Sequence, residues 1–109
     1  MVLKVDDTTF ENEVLKSDLP VIVDFYTDWC APCKKMEPIV AKVATSYEGR
    51  VKVVKLNTED ARDVAQKYQI MSFPTLIVFR NGEPVTRKQG FHNEMQLNSL
   101  LLSAEAGDA

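Results

Sequence analysis

Residues 19–34 read LPVIVDFYTDWCAPCK. The first part is β-branched and aromatic, apolar at both alternating positions, and predicts a central strand over 19–27. The second part holds the chain's only two cysteines, Cys30 and Cys33, and opens a helical pattern from about 31 to 47. A CxxC therefore stands where a buried strand meets a helix. Residues three apart on a first helical turn share a face, with Cα atoms roughly 5–6 Å apart, inside the range a disulfide accepts. Cys30 falls at the helix N-terminus, where unpaired N–H groups and the positive end of the helix dipole favour its thiolate. Pro32 is tolerated there because the first turn has no intrahelical bond to lose. Cys33 lies further in, nearer the core. This placement suggests that Cys30 attacks and Cys33 resolves.

Outward from this stretch, the remaining elements alternate. Residues 2–5 predict a short edge strand, and Asp6 and Asp7 supply N-cap chemistry for a helix over 8–17 whose apolar positions are Phe10, Val14 and Leu15. Pro38 is expected to break or bend the helix that follows the cysteines, and Glu48-Gly49 to end it. "VKVVKL" (51–56) predicts a strand and "TEDARDVAQKY" (58–68) a polar, exposed helix. In "PTLIVFRNGEPVTRKQ" (74–89) two apolar runs flank Asn81-Gly82, a type I′ hairpin dipeptide. Gly90 interrupts the second run, "NEMQLNSLLLSA" predicts an amphipathic helix, and the tail 105–109 is expected to fray. Strands separated by helices argue for parallel pairing through right-handed crossovers, and the hairpin adds an antiparallel pair. The expectation is an α/β fold, a mixed sheet with helices on both faces.

The bulk properties narrow the function. A chain of 109 residues with 45% hydrophobic content matches one domain with a real core. Its net charge of −3 gives no footprint for nucleic acid or an anionic membrane. No apolar run approaches the roughly 18 residues of a membrane helix. The acidic N-terminus lacks a signal pattern, so a cytoplasmic protein is expected, unless a leader has been removed. Nothing demands more than a monomer. In a reducing compartment a lone cysteine pair is metal-binding or catalytic rather than structural.

Three readings of the pair compete. Zinc needs about four ligands, and this chain offers Cys30, Cys33 and the distant His92, which reads as a surface or packing residue. Haem attachment needs histidine after the second cysteine, where Lys34 stands. As a staple, so short a loop contributes only roughly 2 kcal/mol, against nearly 5 for about 100 residues. The redox reading fits best.

Other residues join it. Alternation puts Val21, Val23 and Phe25 on one face and Ile22, Asp24 and Tyr26 on the other. Under helices on both faces Asp24 is buried, its pKa rises, and it becomes a proton acceptor for Cys33. The plain alternative is an edge aspartate facing water. Lys55 shares a face with Val51 and Val53 and is placed to pair with Asp24, or else is a solvated strand-end lysine. Trp29, between Asp28 and Cys30, is expected at the site rather than in the core. The "KK" of 34–35 is a solvated face, with Lys34 adding positive potential near Cys30.

"VIVDFYTDWCAPCK", Pro38, "KLN" (55–57), "FPTLIVF", "NGE" and Gly90, in this order over nearly the whole chain, resemble the thioredoxin family. The resemblance implies the thioredoxin fold, a central mixed five-stranded sheet flanked by four helices, in a single domain over 1–109. It implies a protein disulfide reductase with Cys30 as nucleophile and Cys33 as resolving cysteine. Trp29 would lid the pair, and Asp24 and Lys55 would handle protons behind it. Pro74 would be a cis-proline facing the cysteines, with Ser72, Phe73 and Gly90 lining the substrate groove beside Ala31 and Pro32. No bound cofactor is implied beyond the redox-active disulfide. The implied partners are disulfide-containing proteins and a thioredoxin reductase-type electron donor. The departures are Ala31 for the usual glycine, Ser72 for a frequent glycine and Phe73 for isoleucine. Ala31 leaves an oxidase or isomerase open, and a dedicated binding subunit is the alternative from another class.

Overall fold

The computed structural model describes residues 1–107. Five strands form one sheet: β1 (Leu3–Val5), β2 (Val21–Tyr26), β3 (Lys52–Asn57), β4 (Thr75–Arg80) and β5 (Glu83–Gln89), in the spatial order β1-β3-β2-β4-β5. Helices α1 (Ala31–Ser46), α2 (Arg62–Lys67) and α3 (Glu94–Ala106) and a wide π-type segment (Glu11–Leu15) cover it. β2 is central, as its two apolar faces require. Val21, Val23 and Phe25 pack with Phe10, Val14, Ala61 and Val64 on one side. Ile22 packs with Met36, Val40 and Leu97 from α1 and α3 on the other.

α1 has 16 residues, about 24 Å of rise, enough to carry the chain back along a strand of about 20 Å. β3 therefore runs parallel to β2, with Asp24 opposite Lys55. α2 has only 6 residues, about 9 Å of rise. β4 starts near the end where β3 stops and runs antiparallel to β2, with Thr75 opposite Phe25. The parallel pairing expected of strands separated by helices thus fails at this one crossover.

Other differences are local. The expected helix over 8–17 is reduced to the wide segment, in which the Lys16 N–H reaches the Glu11 carbonyl at 2.9 Å. Asp6 does cap its approach, accepting from the Thr8 and Thr9 N–H groups at 2.9 and 3.1 Å. Asp7 does not; its carboxylate accepts from the Asp63 and Val64 N–H groups at 3.3 and 3.0 Å and caps α2. The 58–68 segment is not wholly exposed, since Ala61, Val64 and Ala65 are buried. Asn81 and Gly82 both have positive φ, 52° and 80°, as a type I′ turn demands. The pairing slips between Val78 and Phe79, where Pro84 has no N–H to give the ladder. Glu105 and Ala106 are helical rather than frayed, and Glu105 holds Arg50 through both carboxylate oxygens at 3.1 Å. Asp108 and Ala109, the end of the tail expected to fray, lie outside the described residues.

Candidate active site

Cys30 is the N-cap of α1, with extended backbone (φ −90°, ψ 105°). The turn before it is closed by the Cys30 N–H to the Thr27 carbonyl at 3.5 Å. Cys30 and Cys33 form a disulfide with a Cα–Cα distance of 5.2 Å. The Cys30 Sγ also accepts the Cys33 N–H at 3.1 Å. A cap is the position that faces the orphan donors of a first turn, and here a sulfur occupies it. The same donor is available to a thiolate when the bond opens. Cys33 is buried, at 5% exposure, and Cys30 is only half-buried. A partner can therefore reach Cys30, while Cys33 is reached from within.

Behind the pair, Asp24 is 7% exposed, and its Oδ1 is buried without a hydrogen-bond partner. Burial pushes its carboxyl from 3.8 up to about 7; Lys55 opposes that rise and Glu37 adds to it. Lys55 stands directly beside Asp24 across the β2–β3 pair, half-exposed, with its Nζ 6.0 Å from the Tyr26 ring centroid. A cleft of about 300 Å³ joins Asp24, Lys55, Cys33, Glu37 and Asp28. The edge-aspartate alternative for Asp24 is therefore set aside.

On the outer side, Trp29 is 80% exposed and its indole N–H donates to the Glu59 carboxylate. Trp29, Cys30, Ala31, Pro32 and Phe73 line one shallow surface cleft with Thr58 and Glu59. The Phe73–Pro74 peptide is cis. Gly90 is tied to this loop, its N–H donating to the Pro74 carbonyl at 2.8 Å. Ser72 and Gly90 do not line the cleft that holds Cys30. The Ser72 carbonyl instead accepts from the Thr75 hydroxyl at 2.7 Å, and its own hydroxyl is buried without a partner. His92 lies apart from the pair, with Nδ1 at 2.8 Å from the Gly90 carbonyl. Among the described residues no group of three His, Cys, Asp or Glu side chains is placed to hold a metal ion. No helix of the described residues is long and apolar enough to cross a membrane.

The sequence model described as Thioredoxin matches residues 1–103. The chain belongs to the thioredoxin family. It is 46% identical to a thioredoxin of Rickettsia bellii over 101 residues, 93% of each chain. It is 50% identical to thioredoxin 1 of a Nostoc species over 98 residues, 90% of this chain and 92% of the relative. A thioredoxin of Pseudomonas aeruginosa is 40% identical over 100 residues, 92% of this chain and 93% of the relative. The protein is a thiol–disulfide oxidoreductase, a thioredoxin-type disulfide reductase whose redox centre is the Cys30–Cys33 pair.

Two residues of this thioredoxin site were not singled out from sequence. Glu59 accepts the indole N–H of Trp29, and Glu37 lines the cleft of the buried aspartate. Glu59 carries no local signal, because its partner is 30 residues away. Glu37 carries one: it lies four residues after Cys33, one helical turn along the same face.

Proposed function

We propose that the protein reduces disulfides of partner proteins in the cytoplasm, as a monomer, with Cys30 as nucleophile, Cys33 as resolving thiol and Asp24 as proton acceptor. The observation that carries the reading is the half-buried cap sulfur of Cys30 bonded to a buried Cys33 above a buried, unpartnered carboxylate. In the first step the Cys30 thiolate attacks one sulfur of the partner's disulfide. A mixed disulfide forms, and the partner's other sulfur leaves as thiolate. In the second, Cys33 gives its proton to Asp24 and attacks Cys30. The mixed bond breaks, the partner leaves fully reduced, and the two electrons now missing from the pair are those the partner gained. Lys55 steadies the Asp24 carboxylate, and a carboxyl near 7 both takes and returns a proton at neutral pH. A separate thioredoxin reductase-type donor restores the dithiol. The cleft of Trp29, Ala31, Pro32 and Phe73 receives the partner's extended segment, with Ser72, Pro74 and Gly90 shaping the loop behind it. A lone cysteine pair, with no further cysteine, suits a reducing compartment.

The test is turnover of a disulfide-bonded protein with dithiothreitol as donor. Cys30→Ser should lose turnover and form no mixed disulfide, while Cys33→Ser should lose turnover and accumulate one. Retained turnover in Cys30→Ser refutes the assignment. Trp29, the sole tryptophan, reports the pair's equilibrium in glutathione buffers by fluorescence. A markedly oxidising midpoint there would make the protein an oxidase or isomerase and implicate Ala31.

A further inference from the structure

The Asp24 cleft holds more charge than proton acceptance needs. The titratable groups that face Asp24 there are Lys55 from β3, Tyr26 and Asp28 from the end of β2 and its loop, and Cys33, Lys34 and Glu37 from α1. From β4 the neighbour across the pair is the apolar Leu76. Lys55 and Glu37 are of opposite sign and approach from different elements, one laterally in the sheet and one from the helix above. Glu37 is exposed and makes no hydrogen bond or ion pair among those formed by the described residues, so no structural contact accounts for it. Its place one turn beyond Cys33, on the face that lines the cleft, does.

We infer that Glu37 is a positioning residue of the exchange reaction, a negative charge at the mouth of the cleft that counters Lys55 and keeps Asp24 able to hold the proton of Cys33. The physical reason is like-charge repulsion. An ionised Glu37 disfavours a second carboxylate in the same cleft, whereas Lys55 favours it. The proton balance is simple. The Cys33 thiol becomes thiolate as the Asp24 carboxylate becomes carboxylic acid, and that proton passes to water before the next cycle. Glu37 takes no part in bond making. Because Glu37 faces solvent, its influence is screened by salt while that of burial is not.

This inference rests on Asp24 being the acceptor, and the test separates the two. The rate of mixed-disulfide resolution is measured against pH in the full chain, Glu37→Gln, Glu37→Asp and Asp24→Asn. The Asp24 carboxyl is titrated by NMR in the three chains that retain it. Glu37→Gln should lower both the Asp24 midpoint and the acid limb of the rate profile by roughly half a unit at low salt. The shift should shrink at about 1 M salt, and Glu37→Asp should stay near the parent. If Asp24→Asn is slow but Glu37→Gln moves neither midpoint nor profile, the inference fails and the role of Asp24 stands. If Asp24→Asn resolves at the parent rate at every pH, the acceptor reading fails and this inference with it.

Discussion

Asp24 is the residue at which function and stability pull apart. Its ordinary carboxyl value is 3.8, and burial lifts it to about 7 in the fold. Below about pH 4 the folded and unfolded chains are both protonated there, so its titration adds nothing to the pH dependence of stability. From about pH 4 to about 7 the unfolded chain releases the proton while the folded chain keeps it. The unfolded state then binds fewer protons, stability falls as pH rises, and the loss is complete above the folded value. The size is roughly 4 kcal/mol. Asp24→Asn should therefore show little pH-dependent gain at pH 4 and gain up to about that much at pH 8, in urea titrations. An equal difference at both pH values would mean that the carboxyl is not held protonated by the fold. Alternation along "VIVDFY" placed Asp24 on one face with Ile22 and Tyr26, because a strand's two faces are written directly in its sequence; that this face is covered is a property of the fold. The partnerless state of its Oδ1 was not legible, because it depends on what the helices above leave unfilled. The lateral neighbour Lys55 was legible as a same-face residue, but its register opposite Asp24 is a property of the folded sheet.

At the scale of elements, the long periodic segments were legible and the short ones were not. α1 and β2 carry their own period and length. α2 is too short to hold itself together, as isolated helices of this size are marginal in water. Its N-cap residue, Ala61, has no side chain to offer. The missing acceptor comes from Asp7, 56 and 57 residues away, and no local pattern can announce that. Two adjacent aspartates, Asp6 and Asp7, read as one cap, yet they serve two different helical segments. Asp7→Ala should consequently cost about 1 kcal/mol, the usual worth of an N-cap side chain. Urea titration would measure it, and hydrogen exchange should localise it by faster exchange at Val64 and its neighbours. Unchanged protection across α2 would mean that water replaces the carboxylate without loss. The direction of β4 has the same origin: a pattern of strand, helix, strand does not by itself fix direction, since the connection through Glu11–Leu15 returns the chain for a parallel strand and the one through α2 does not.

For the whole molecule, the question is whether the disulfide holds the fold or only works within it. The two apolar clusters meet on opposite faces of the sheet, and Cys33 belongs to neither. The bond closes a sequence separation of only 3, so it removes little freedom from the unfolded chain. Chain entropy for so small a loop gives roughly 2 kcal/mol, whereas a loop of about 100 residues would give nearly 5. Oxidised and reduced protein should therefore unfold cooperatively in urea, with the oxidised form more stable by about 2 kcal/mol. Both forms should keep the same far-ultraviolet circular dichroism before unfolding. A reduced form that loses its native signal without denaturant would make the pair a staple and remove the physical basis for a redox centre. A fold that stands in both states is what the exchange cycle requires. The protein must meet a partner as dithiol and leave as disulfide, and the free energy of the partner's bond is then spent on electron transfer rather than on refolding the carrier.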